Sequence, residues 1–91
     1  MALYTFLLEH GGGTFISQLS ASNEREAFGR WIERLRVEGA EDGISDNVWK
    51  AFDKNAHEDL AAVNDLNGVW CTSAIADEVL ALVNVVRTHA N

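Results

Sequence analysis

Apolar and polar residues alternate along positions 3 to 21 and again along 69 to 88, and between these two stretches the apolar residues recur at helical spacing. The first stretch predicts a hairpin. Pairing Glu9 with Thr14 across His10-Gly11-Gly12-Gly13 sets Leu8 against Phe15, Phe6 against Ser17 and Tyr4 against Leu19. Tyr4, Phe6, Leu8, Phe15 and Leu19 then form a core face. The opposite face carries Thr5, Glu9, Gln18 and Ser20 but also Leu3, Leu7 and Ile16, so it is mixed where a solvated face is polar. That mixture points to a contact. The glycines supply the positive φ angles of a tight turn, and the same register holds for a loop of two residues or four.

A first helix is predicted from Ser22 or Asn23, where Asn23 followed by Glu26 makes a start of the capping-box type. Ala27, Phe28, Trp31, Ile32 and Leu35 fall on one stripe, and Arg25, Glu26, Arg30, Glu33, Arg34 and Arg36 fill the remainder. Gly39 is placed to end it in the left-handed conformation common after a helix. A second, shorter helix is expected from about Asp46 to His57, on Val48, Phe52 and Ala56, with Ile44 one step before and Ser45 or Asp46 as cap. Between Glu58 and Gly68 the periodicity fades: Leu60, Val63 and Leu66 suit a continued helix or a packed loop, and Asn67-Gly68 marks a turn.

The last stretch satisfies two patterns. As strands, Val69 to Ala76 and Val79 to Thr88 pair through Asp77-Glu78, setting Ile75 against Leu80, Cys71 against Asn84 and Val69 against Val86. As a helix, Ile75, Val79, Leu82, Val83 and Val86 make a continuous stripe, and Asp77-Glu78 lacks the Gly or Asn of a primed turn. The density of β-branched residues favours strands.

Composition narrows the class. At 91 residues, 47 % hydrophobic and without proline, the chain is predicted to be a single α+β domain over 1–91 with one core and no internal linker. The single cysteine excludes an intrachain disulfide and fits a reducing compartment. The N-terminal apolar run, cut by Glu9 and lacking a basic residue, does not make a signal-peptide core, and no run reaches the roughly 20 apolar residues of a membrane span. A cytoplasmic protein is the expectation. The net charge of -7 is lopsided: residues 1 to 37 carry four Arg against four Glu, residues 38 to 91 three basic against ten acidic. This disfavours nucleic acid as a partner and suits a basic one.

No catalytic motif survives inspection. The glycine run has no P-loop lysine and precedes a strand. Asp53, Asn55, His57 and Asp59 are spaced like calcium-loop ligands, but Glu58 replaces the required Gly and Asn64 the closing Glu. His57-Glu58-Asp59-Leu60-Ala61 lacks the second histidine of a zincin helix. Cys71, between Trp70 and Thr72, has no cation in sequence to activate it and reads as a buried, inert thiol. Trp31 follows its helix stripe into the core, whereas Trp49 falls beside the Val48 and Phe52 stripe and is expected to be partly exposed and available for contact.

The arrangement Tyr4-Thr5-Phe6, Thr14 to Gln18, the Ala27 to Trp31 helix, Val69-Trp70-Cys71 and Leu80 to Asn84 resembles a group of short bacterial proteins of unassigned function. That resemblance implies an antiparallel α+β domain and no activity. The opening hairpin and helix, about a third of the chain, are also similar to small HicB-type antitoxin domains. The expected architecture is ββααββ, a four-stranded antiparallel sheet with both helices on one face. The expected function is a self-associating or protein-binding module without catalysis, cofactor or metal. Its candidate interface residues are Leu3, Leu7, Ile16 and Trp49, and it uses neither nucleic acid nor membrane. The alternative is a small enzyme or ligand-binding protein with Cys71 and a histidine, His10 or His57, near a cleft.

Overall fold

In a computed structural model, residues 1–54 and 60–89 are described, His89 by its backbone only. The strands β1 (Ala2–His10) and β2 (Gly13–Ala21) are joined by Gly11-Gly12, at φ 58° and 83°. The loop is thus the two-residue one, closed by His10 opposite Gly13, and the register is the expected one from Leu8 opposite Phe15 to Tyr4 opposite Leu19. Helices α1 (Glu24–Glu38) and α2 (Asp46–Lys54) follow, then β3 (Ala61–Ala62), β4 (Val69–Ala76) and β5 (Val79–His89).

The class is α+β with an antiparallel sheet, but the sheet has five strands, in the order β2-β1-β5-β4-β3, where four were expected. The extra strand is two residues of the stretch whose periodicity fades. Ala61 and Ala62 pair with Cys71 and Trp70, and the Val63 amide donates to the Val69 carbonyl at 3.0 Å. A strand so short carries no alternation to read.

The C-terminal stretch forms strands, with Ile75 opposite Leu80, Cys71 opposite Asn84 and Val69 opposite Val86. Its turn takes the primed conformation without a glycine: Asp77 and Glu78 stand at φ 55° and 65°. The Asp77 carboxylate is tied to the start of α2, where the Asn47 side-chain amide donates to it. Ser45 bonds the same carboxylate and accepts from the Asn47 backbone amide at 3.2 Å. These bonds, Asn47 first, with the nearby His10 adding to them, hold the Asp77 carboxyl below the usual carboxylate range.

Helix α1 is capped by Asn23, whose side-chain oxygen accepts from the Glu26 amide at 2.9 Å; the Glu26 carboxylate in turn accepts from the Ser22 amide at 3.2 Å. The C-terminal end differs from expectation. Gly39 stays right-handed (φ -60°), its amide on the Leu35 carbonyl, and the left-handed glycine is Gly43 at φ 81°. For α2, predicted to reach His57, the described part ends at Lys54; Ala56 and His57 lie outside the described residues.

Both helices pack on one face of the sheet, α1 over β1 and β2, α2 over β4. Between them and the sheet lie Tyr4, Phe6, Leu8, Ala81, Val83 and Val85 from the strands, and Phe28, Trp31, Leu35, Val48 and Phe52 from the helices. Trp31 is the centre of this core. Its ring stacks on Phe6 at 5.2 Å and on Phe28 at 5.8 Å and meets the edge of Phe52 at 5.3 Å. No helix among the described residues is long and apolar enough to cross a membrane.

Candidate functional site

Because strand side chains alternate, burying Tyr4, Phe6, Leu8, Ala81, Val83 and Val85 against the helices sends their neighbours to the other side of the sheet. No described element covers that side. Across its middle run Ile16, Leu7, Asn84, Cys71 and Ala61, each opposite the next. Beside that row lie Thr14, Glu9, Leu82 and Ser73 on one flank and Gln18, Thr5, Val86 and Val69 on the other. Ile75 and Leu80 extend the surface toward the β4–β5 turn.

Apart from Asn84, the middle row of this face is apolar, and the face is nearly uncharged. Ile16 is 64 % exposed, Ile75 65 % and Leu80 54 %. Glu9 is the only charged side chain among its described strand positions, although charged residues make up 23 % of the chain. Three of its polar members bond one another: Gln18 donates to the Thr5 hydroxyl at 2.9 Å, and Thr5 and Thr88 share a hydrogen bond. Depletion of charge around an apolar centre is the compositional mark of an interface core.

Of the residues singled out from sequence, Leu3, Leu7 and Ile16 share this face. Trp49 does not join them, because it belongs to α2 on the helical side and packs its ring against the core. Its indole N–H is buried and meets no acceptor among the described residues, and Lys50 holds its ammonium 5.8 Å from the ring centroid. Ile75, Leu80, Leu82 and Val86 belong to the face and were missed as site residues. The signal was present in the pairing of the second hairpin, but only the adjacency of β5 to β1 joins the two halves.

Cys71 is half-buried where a buried thiol was expected, since its side of the sheet is uncovered. His10 projects to the helical side, where its Nε2 lies 2.8 Å from the Ala76 carbonyl oxygen. Cys71 and the Ala76 carbonyl are five residues apart on β4, roughly 17 Å, with the sheet between thiol and imidazole. The structure therefore does not bring Cys71 and His10 together, and His57 lies outside the described residues. Among the described residues no group of three or more His, Cys, Asp or Glu is placed to hold a metal ion. No known protein family, curated protein or solved structure matches the chain.

Proposed function

We propose that the protein is a non-catalytic interaction module that self-associates by packing the open face of its sheet against the same face of a second copy. The observation that carries this reading is the bare, charge-depleted side of a sheet whose other side is packed by both helices. Four long strands spaced by about 4.8 Å, each about 30 Å long, give a face of roughly 600 Å² before side-chain relief is counted. That approaches the roughly 800 Å² per partner of a standard stable interface. Sheets stacked in this way place identical surfaces together, as two-fold symmetry requires. The single cysteine and acidic surface suit the cytoplasm.

The reading predicts a dimer in sedimentation equilibrium at micromolar protein. Leu7→Lys and Leu82→Lys, each placing an ammonium in the centre of the face, weaken association more than tenfold while leaving the monomer folded. A monomer mass at high micromolar concentration overturns the proposal.

A further inference from the structure

The β2 edge of the sheet is closed along half its length and open along the other half, and the helix beside it explains the difference. Arg30 donates to the Ser20 carbonyl at 2.9 Å and Arg34 donates to the Gln18 carbonyl at 3.0 Å. Four helical residues advance about 6.0 Å and two strand residues about 6.8 Å, so a row at i, i+4 on α1 keeps step with alternate residues of β2. The next positions in the two rows are Glu38 and Ile16. Glu38 is an acceptor and cannot bond a carbonyl; it accepts instead from Arg34 at 3.2 Å. Among the described residues nothing meets the outward N–H and C=O of Ile16 and Thr14.

Beside this open half lies a groove of about 450 Å³ floored by Leu8, Phe15, Trp31, Leu35 and Ile44. Asp42 lines its lip, and Glu38 and Glu41, exposed like Asp42, lie in the helix end and loop on either side of the lining residue Gly39. Arg34 is the one cation among the described residues lining the groove, and Glu38 already pairs with it.

We propose that Thr14 to Ile16 and this groove form a strand-addition site for an extended, basic peptide segment of a partner protein. The segment pairs its backbone with β2 and places one bulky apolar side chain in the groove. Lys or Arg two residues to either side, on the same face of the added strand, then meet the acidic lip. Main-chain pairing with alternate side chains in pockets is the established mode of sheet-edge recognition, and an unpaired edge is the template it needs. This site uses the outward backbone edge of Thr14 and Ile16, whose side chains lie on the open face, together with the groove on the helical side, and it does not depend on self-association through the open face.

The probe is the capped heptapeptide Thr-Lys-Thr-Phe-Thr-Lys-Thr, titrated into the isotope-labelled full chain with backbone amide shifts as readout. Expected are saturable shifts centred on Thr14 and Ile16, and at least tenfold weaker binding when the pairing amides of the peptide are N-methylated or both Lys are replaced by Glu. Glu38→Arg, which continues the arginine row and caps the Ile16 carbonyl, abolishes binding. Glu38→Ala, which removes the charge without adding a donor, weakens it only a fewfold. Both changes are at an exposed position and leave the fold intact. Equal binding by the N-methylated peptide, shifts centred on Leu7 and Leu82, or no saturable binding at millimolar peptide each overturns the proposal. Sedimentation of the same sample reports self-association separately, so a failed edge site is distinguishable from a failed dimer.

Discussion

Replacing Glu78 by glycine stabilises this protein, although it removes a side chain and frees the unfolded backbone. Glu78 is the second residue of a two-residue primed turn and stands at φ 65°. An L-residue in that region costs roughly 1–2 kcal/mol, because its Cβ crowds the following carbonyl oxygen, and glutamate lacks the local side-chain bonding that lets Asp accept the conformation. Glycine removes the clash and adds roughly 0.4–1 kcal/mol of unfolded-state entropy to be lost. The difference is a gain of about 0.5–1 kcal/mol and converts the turn to Asp-Gly, a preferred primed pair. For a domain of this size the midpoint rises by about 2–8 °C. Urea and thermal melts at low micromolar protein, followed by tryptophan fluorescence, measure it, with Glu78→Gln separating the effect of the charge from that of the backbone. A midpoint unchanged or lowered in Glu78→Gly, or raised equally in Glu78→Gln, refutes the reasoning.

Three further outcomes follow from the core, the turn and the open face. Trp31→Ala removes a ring in contact with Phe6, Phe28 and Phe52 and costs about 3–5 kcal/mol, much of the roughly 5–14 kcal/mol a chain of this length holds; a loss below about 1 kcal/mol in a urea melt contradicts its burial. Asp77 has a depressed folded pKa, so its contribution is complete above the unfolded Asp value of about 3.9 and is lost as pH falls through the lower folded value. The stability gap between the parent chain and Asp77→Asn is therefore present at pH 7 and closes in acid; a gap that widens below pH 4 has the wrong sign. Cys71 lies in the middle row of the open face, so its labelling by a thiol reagent slows as protein concentration rises through the dimer dissociation constant. A rate independent of concentration in a sample that sediments as a dimer places the interface elsewhere.

What sequence alone disclosed was local. The run of glycines from Gly11 to Gly13 and the alternation around it pinned the first hairpin to its register while leaving open whether the loop had two residues or four, and the Trp31 stripe identified the core face of α1. The second hairpin was ambiguous because Val79 to Val86 satisfy a strand and a helix alike, and its turn gains its anchor from Asn47 and Ser45, thirty or so residues away. Pairing between β1 and β5 has no signature in either strand, so the full extent of the open face, from Ile16 to Ile75, emerges only in three dimensions. The same holds for Cys71: its side of β4 was legible, while its exposure depends on whether anything covers that side. Arg30 and Arg34 look like ordinary solvated residues of an amphipathic helix until α1 is set down beside β2.

The position of β5 governs when the protein is able to fold. The fifth of these strands in chain order lies in the middle of the sheet, paired with β1 on one side and β4 on the other. During synthesis at roughly 5–20 residues per second, the first hairpin waits several seconds with the inner edge of β1 uncovered and no β5 to meet it. A helix or local hairpin forms on emergence, but this sheet closes only when the chain through residue 88 has left the ribosome. Such long-range closure makes for slow folding and leaves each nascent chain, meanwhile, a sticky strand for its neighbours on the same polysome.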